Sequence, residues 1–158
     1  MRKFLIVFMF ALIPAVPSFA LPANDPAAIV KDIYAHIKAS ESYDPPNSVF
    51  TPRIQKLIKD DQTDAKGEVG RLDTSIWVNA QDTVAIDKLV VTAKPDDFRK
   101  DRQTVTAKIV NKDYPETAVF YFEKQNGKWL IDDVRWTGKN GWVLSLILKW
   151  SDYGAGEQ

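Results

Sequence analysis

The stretch FYFEKQNGKWLIDDVRW, residues 120–136, constrains the fold of this chain more than any other segment. Asn-Gly is the favoured pair for a two-residue type I′ turn, because both turn positions take a positive φ. With Asn126-Gly127 as that turn, the two aromatic-rich arms pair as antiparallel strands. An uninterrupted ladder predicts these pairs: Gln125 with Lys128, Lys124 with Trp129, Glu123 with Leu130, Phe122 with Ile131, Tyr121 with Asp132 and Phe120 with Asp133.

This register predicts that both faces of the hairpin are apolar, since directly opposed residues point to the same side of a sheet. One face carries Ala118, Phe120, Phe122, Trp129 and Ile131, and the other carries Val119, Tyr121, Leu130, Val134 and Trp136. A sheet packed on one side would instead alternate apolar and polar residues. We therefore expect the N-terminal helices to cover one face and the C-terminal helix or a second subunit to cover the other, which predicts a homodimer through the outer face.

Two helices are predicted before the strands. Asn24-Asp25-Pro26 reads as a helix start, with an apolar stripe at Ile29, Val30, Ile33, Tyr34 and Ile37. That helix should end before Asp44, where two prolines follow. A second, short helix is predicted from Thr51-Pro52, with Ile54, Leu57 and Ile58 buried and residues 60–64 forming a solvated end.

The pattern after Leu72 changes to strands. Residues 84–92 contain a strand-like mixture of β-branched and other apolar residues: Val84, Ala85, Ile86, Leu89, Val90, Val91 and Thr92. Residues 104–110 alternate with period two, and residues 111–116 are predicted to form a turn. Residues 142–150 return to helical spacing and predict one short helix. Helices followed by an antiparallel meander indicate an α+β fold with the helices on one face of the sheet.

The N-terminus has the pattern of a secretory signal peptide: Arg2 and Lys3, an apolar run, then Ser18-Phe19-Ala20. We expect cleavage after Ala20, export to a Gram-negative periplasm with no membrane anchor after cleavage, and one domain over residues 21–158. The chain has no cysteine, so its stability must come from packing. It has 21 basic and 21 acidic residues, and this balance gives no electrostatic case for nucleic acid or for an anionic membrane surface.

Four segments in this order resemble a secreted bacterial family within the nuclear-transport-factor-2-like (cystatin-like cone) superfamily: AAIVKDIYAHI, LDTSIWVNAQD, VFYFEKQNGKWLIDDV and GWVLSLILKW. The resemblance implies a curved antiparallel sheet wrapped around the N-terminal helices, a short C-terminal helix, and a pocket at the open end of the cone. Enzymes of this superfamily commonly set an Asp and a His in that pocket, whereas this chain has a single histidine.

The segment LDTSIWVNAQD supplies most of the candidate ligand-binding residues. Polar groups beside a tryptophan could rim the cone and offer hydrogen bonds and a stacking plane to a ligand; capping and turn chemistry is the alternative for the same residues. His36 lies at the margin of the first helix's apolar stripe, where it could act as a base with Asp32 or Asp73, or simply form a boundary residue. The candidate residues are Asp73, Trp77, Asn79, Gln81, Asp82, Tyr34 and His36.

No catalytic residue, metal ligand set or cofactor is predicted. One histidine and no cysteine exclude an ordinary zinc site, the acidic run 60–68 lacks the calcium-loop spacing, and Asp132-Asp133 should point oppositely. We favour an exported, non-catalytic binding module for a small molecule or an envelope protein. The alternatives are a lyase, isomerase or hydrolase of the cone superfamily, and an inhibitor or immunity-type protein that acts on an envelope enzyme through residues 96–102 or the Asn126 tip.

Overall fold

A computed structural model describes residues 25–39, 43–80, 86–138 and 141–150. The element order is α1 (Pro26–Ala39), a short 3-10 turn (Asn47–Val49), α2 (Pro52–Ala65), β1 (Ile86–Pro95), β2 (Arg102–Asn111), β3 (Tyr114–Gln125), β4 (Lys128–Thr137) and α3 (Leu144–Ile147). The four strands form one curved antiparallel sheet in the order β1-β2-β3-β4. The α+β class is confirmed, while the predicted signal peptide lies outside the described residues.

Helix α1 follows its prediction closely. The Asp25 side chain accepts a hydrogen bond from the backbone N–H of Ala27 at 3.0 Å, which caps the first turn. The helix then buries every residue of its predicted apolar stripe against the sheet: Ile29, Val30, Ile33, Tyr34 and Ile37.

No helix in the described ranges is long and apolar enough to cross a membrane.

Helix α2 is longer than predicted and differs at both ends. The Thr51 hydroxyl does not cap the helix; it donates to Asp132 Oδ1 at 2.9 Å. At the other end, the predicted solvated segment 60–64 is helical, and Asp61 within it is buried. The helix ends at Lys66 and Gly67, both of which have positive φ.

The central hairpin confirms the predicted turn and four of the six predicted pairs. Asn126 and Gly127 have φ of 49° and 80°, and the four pairs nearest the turn, ending at Phe122 with Ile131, are as predicted. The ladder then shifts by one residue, so that Tyr121 lies opposite Asp133 instead of Asp132. This β-bulge inserts one extra residue into β4 and turns every residue after it to the other face.

The bulge corrects the prediction of two apolar faces. Val134 and Trp136 lie on the inner face and are 0% and 1% exposed, where they join the predicted inner residues Ala118, Phe120, Phe122 and Ile131. The outer face keeps Val119, Tyr121 and Leu130 beside threonines and basic residues. The homodimer predicted from a second apolar face therefore loses the observation that motivated it.

Residues 50 and 143 cover part of the β4 edge. Phe50 forms a parallel bridge with Ile131, and Val143 forms an antiparallel bridge with Arg135. The turn between β2 and β3 consists of Lys112 and Asp113 alone, shorter than the predicted turn 111–116. The short C-terminal helix is confirmed over Leu144–Ile147. Leu144 and Ser145 are buried within it, Trp142 before it and Leu148 after it are also buried, and Trp150 is exposed.

Candidate functional site

The segment after α2, residues 66–80, crosses one end of the sheet's inner face. Three aromatic donors hold it there: Tyr34 Oη donates to the carbonyl of Trp77 at 2.8 Å, Trp136 Nε1 donates to the carbonyl of Ile76 at 2.9 Å, and Trp142 Nε1 donates to Asn79 Oδ1 at 2.6 Å. Because buried polar groups need partners, these three bonds fix both the segment and the rings.

Local turn chemistry shapes the same segment. Asn79 has φ of 48°, and its backbone N–H donates to the carbonyl of Ser75 at 3.1 Å. The backbone N–H of Ser75 donates to the carbonyl of Ala80 at 3.2 Å, and its hydroxyl accepts from the N–H of Trp77. The capping and turn chemistry considered for this stretch is therefore what the structure shows at Ser75 and Asn79.

A cleft of about 640 Å³ lies between this segment, the C-terminal half of α2 and α3. Its apolar wall comes from Ile58, Ala65, Leu72, Ile76, Trp77 and Leu148. Its polar side carries Tyr43, Asp44, Asp61, Gln62, Glu68, Thr74 and Ser75. An apolar wall with a few polar groups at the margin is the usual construction of a small-molecule site.

A charge network closes one side of the cleft. Asp61 on α2 is 6% exposed and accepts from Arg71 Nη1 at 2.9 Å and from the backbone N–H of Arg71 at 3.1 Å. The other guanidinium nitrogen donates to Asp64 Oδ2 at 2.7 Å, and Nη1 also reaches the carbonyl of Leu148 at 3.3 Å. One arginine thus joins α2 to the segment after it and to the end of α3.

Gly70 has to be glycine for this network to form. A Cβ atom at position 70 would collide with the Asp61 carboxylate, which lies directly above it. That carboxylate cannot move freely, because Arg71 holds it from both the backbone and the side chain. The absence of a side chain at position 70 lets the backbone approach the buried charge.

The cleft is acidic in character. Its carboxylates are Asp44, Asp61 and Glu68, and no lysine or arginine is among the described residues that line it, although Arg71 at one side pairs with Asp61. Burial raises the pKa of the Tyr43 hydroxyl, and the charges of Asp32 and Asp44 raise it further. Tyr43 therefore stays a neutral hydrogen-bond donor next to the acidic side.

The candidate residues predicted from the sequence separate into different roles. Trp77 lines the cleft but is 5% exposed and stacks between Phe50 and Phe120, with ring centroids 5.5 and 6.2 Å away. Its Nε1 donates to Asp44 Oδ1 at 3.3 Å. Asp73 is exposed, Asn79 serves the turn, and Gln81 and Asp82 lie outside the described residues.

Tyr34 and His36 do not line the cleft. Tyr34 is 1% exposed, and burial first and the charge of Glu116 second raise the pKa of its hydroxyl far above the usual value. His36 Nδ1 lies 2.8 Å from the carbonyl oxygen of Asp32 and 3.6 Å from its Oδ2, and the ring stacks on Tyr43 at 5.0 Å. Across the described ranges, no group of three or more metal-ligating side chains converges.

The sequence reading missed Asp61, Gly70 and Arg71. A signal existed for Asp61: Ile54, Ile58 and Asp61 lie four and three residues apart, so the acidic residue shares the buried stripe of α2. A carboxylate on an apolar stripe predicts a buried partner, because an unpaired charge is costly to bury. Nothing in the sequence identifies Arg71 as that partner, because ten residues and a helix end separate the two.

Asp132 and Asp133 were expected to point oppositely, with an ion pair from Asp133 to Arg135 or another cation. The bulge brings both within reach of Arg53, which lies 3.1 Å from Asp132 Oδ1 and 3.8 Å from Asp133 Oδ2. Burial alone would raise the pKa of Asp132, but hydrogen bonds from Arg53 and Thr51 and nearby positive charge bring it below the ordinary value. Asp133 also binds Ser145, so both carboxylates serve structure.

Glu116 is a partly buried acidic residue on the inner face of the sheet. Its Oε2 atom is buried without a hydrogen-bond partner in the part of the chain that the structure describes, and burial raises the pKa of its carboxyl above 4.5. A raised folded-state pKa means that bound protons favour folding below pH 4.5, and that this stability is lost as the pH rises through the folded pKa. Glu116→Gln should therefore raise the melting temperature at pH 7, and the gain should shrink as the pH falls toward 4.5.

Circular dichroism melts of the Glu116→Gln variant between pH 4.5 and 8 would measure this effect. Glu123→Gln is the matched control, because Glu123 lies on the outer face with Arg102 at 4.0 Å, and it should give no gain at pH 7. A lower melting temperature of Glu116→Gln at pH 7 would show that the carboxylate has a stabilising partner.

Comparisons with known proteins were made for the whole chain. No family model matches it, and no curated protein matches it. Among solved structures, a phospholipid-binding protein from Ralstonia solanacearum, determined in complex with a phospholipid, aligns over 76% of this chain and 68% of its own, at 16% identity and a TM-score of 0.35. A TM-score at this level carries no argument about the fold or the ligand of this chain.

Proposed function

We propose that this protein is a non-catalytic binding module that holds a small ligand in the cleft beside α2. The observation that carries the proposal is the cleft itself, about 640 Å³ with one apolar wall and one acidic side. Its volume falls within the range of about 300–1,000 Å³ that is usual for ligand sites. The wall belongs to the fixed core, since Trp77 is stacked on both faces and bonded at its indole nitrogen.

The lining predicts the class of ligand. Apolar contact with Leu72, Ile76 and Leu148 favours a hydrophobic body, and the carboxylates of Asp44 and Glu68 favour a cationic head group over an anionic one. We therefore propose an amphipathic ligand that carries an amine or another positive group.

The wider setting is part of the same proposal. The N-terminal pattern supports export to the periplasm with cleavage after Ala20, and the order of two helices, four antiparallel strands and a short helix supports membership of the cone-shaped superfamily. Light scattering would test the homodimer through the outer face that the sequence predicts.

Three ligands that share an indole body and differ in head-group charge would test the proposal: tryptamine, which is cationic, tryptophol, which is neutral, and indole-3-acetate, which is anionic. We expect isothermal titration calorimetry at pH 7 to show tryptamine binding at least about tenfold more tightly than indole-3-acetate, with tryptophol between them. A single charge at close range to one or two carboxylates accounts for a difference of this size.

A substitution in the cleft supplies the control. Leu72→Arg places a cation on the apolar wall and should weaken tryptamine binding at least about tenfold, whereas Val69→Arg makes the same change at a residue that is 75% exposed and outside the cleft lining. Equal affinity for the three indole ligands, or unchanged binding by Leu72→Arg, would contradict the proposal.

A further inference from the structure

The outer face of the sheet is basic, although the whole chain has equal numbers of basic and acidic residues. The register assigns six exposed basic residues to this face: Lys88, Lys94, Arg102, Lys108, Lys128 and Arg135. Two carboxylates, Glu123 and Asp133, share it by register and are partly buried, and Asp132 in the β4 bulge lies close enough to Arg102 for their charges to interact. The face therefore has an excess of positive charge that the composition hides.

Most of this charge is not neutralised by neighbours. Arg102 lies 4.0 Å from Glu123, but the other five basic residues have no carboxylate within 4.0 Å among residues 25–39, 43–80, 86–138 and 141–150. Threonines separate them along β1, β2 and β3, at positions 92, 104, 106 and 117. An open, basic and threonine-rich surface attracts a polyanion and gives it many hydrogen-bond donors.

The loop between β1 and β2 holds an aromatic ring out at one end of this face. Phe98 is 97% exposed, and its backbone is fixed. Asp96 Oδ1 accepts from the N–H groups of Phe98 and Arg99, each at 2.8 Å. Arg99 binds Asp101 through two nitrogens, and the carbonyl of Asp101 accepts from the N–H of Lys124 at 2.7 Å.

Hydrogen bonds fix the loop backbone that carries the exposed Phe98 ring. The backbone of a loop held by these five bonds is preorganised, so binding through Phe98 costs little ordering entropy. The loop itself adds no net positive charge, because its three carboxylates, Asp96, Asp97 and Asp101, outnumber Arg99 and Lys100, and Arg99 is paired with Asp101. The basic residues beside the ring are therefore Lys100 and those of the outer face. A fully exposed aromatic next to basic residues is typical of a surface that inserts into a membrane interface.

We propose that the outer face and the Phe98 loop dock on an anionic lipid bilayer, with Phe98 entering the boundary between head groups and acyl chains and the basic residues lying against the lipid phosphates. This interaction is independent of the cleft, which opens beside α2. Proteins that bind nucleic acid strands combine a basic groove with aromatic platforms for successive bases, whereas here one aromatic projects from the end of an open face.

Sedimentation with lipid vesicles tests the proposal. We expect the protein to sediment with vesicles that contain phosphatidylglycerol, not with pure phosphatidylcholine vesicles, and to dissociate as the salt concentration rises. Phe98→Ala should weaken binding roughly tenfold, because it removes the inserted apolar side chain. The double substitution Lys94→Glu and Lys108→Glu should abolish it, because it reverses two charges of the basic face.

Tyr114→Ala is the matched control, since Tyr114 is 73% exposed at the opposite end of the sheet, and it should sediment like the unchanged protein. Melting curves of each variant check that the exposed substitutions leave the fold intact. Equal sedimentation with neutral vesicles, capture by a DNA oligonucleotide but not by anionic vesicles, or unchanged binding by the Phe98 and lysine variants would each overturn the assignment.

Discussion

Replacing Trp136 by alanine is expected to lower the free energy of unfolding by about 3–5 kcal/mol. Trp136 is 1% exposed, its ring lies 6.3 Å from that of Trp142, and its Nε1 donates to the carbonyl of Ile76. The substitution removes the largest fully buried side chain among the described residues and leaves a cavity. It also leaves the Ile76 carbonyl without its hydrogen-bond donor. Urea denaturation followed by circular dichroism would measure the loss.

Trp150→Ala is the control for this measurement. Trp150 is 56% exposed, so its removal should change the free energy of unfolding by less than about 0.5 kcal/mol. If both substitutions lowered the free energy of unfolding by the same small amount, Trp136 would face solvent. The β4 bulge would then be wrong, and the hairpin would keep the uninterrupted register that the sequence alone predicts.

Arg71→Met is expected to lower the free energy of unfolding by about 2–3 kcal/mol at pH 7. The substitution leaves the Asp61 carboxylate, which is 6% exposed, with only a backbone N–H for support. Breaking a fully buried ion pair costs about 3–5 kcal/mol, and the lower figure here reflects the partial exposure of Arg71, whose side chain is 26% accessible. The bond to the Leu148 carbonyl is lost as well.

Two further variants serve as controls for the Arg71→Met measurement. Lys56→Met removes an exposed pair on the same helix, Lys56 with Asp60, and should cost no more than about 0.5 kcal/mol. The double variant Asp61→Leu with Arg71→Met replaces both charges by apolar side chains and should be more stable than Arg71→Met alone. A single variant that is as stable as the unchanged protein would show that Asp61 is hydrated in solution.

Much of the fold followed from local rules. The period of 3.6 in α1, the period of two in β2 and the Asn126-Gly127 turn each specify structure within a few residues, and the structure agrees with all three. The β4 bulge could not be derived in this way, because it depends on partners far along the chain. Thr51 and Arg53 bind Asp132, and Ser145 binds Asp133, so two adjacent carboxylates are both satisfied only if the strand bends.

The candidate site was harder to predict than the fold. Trp77, which the sequence singled out, lines the cleft, yet its environment is mostly core, because Phe50 and Phe120 pack against it from other elements. The cleft forms where α2, the segment 66–80 and Leu148 converge. No periodic pattern in the sequence predicts that these parts of the chain come together. The Asp61–Arg71 pair shows the same limit: the sequence supplies the charges, and tertiary packing decides which of them are buried.

The proposed ligand, with a cationic head and an apolar body, is tested in the cleft beside α2 by a two-dimensional ¹⁵N–¹H NMR titration of the labelled protein with tryptamine. We expect the largest shifts at the amides of Leu72, Ile76, Trp77 and Leu148, which line the cleft. Shifts confined to the outer sheet face, or no shifts at all with either tryptamine or its uncharged analogue, would contradict the proposal.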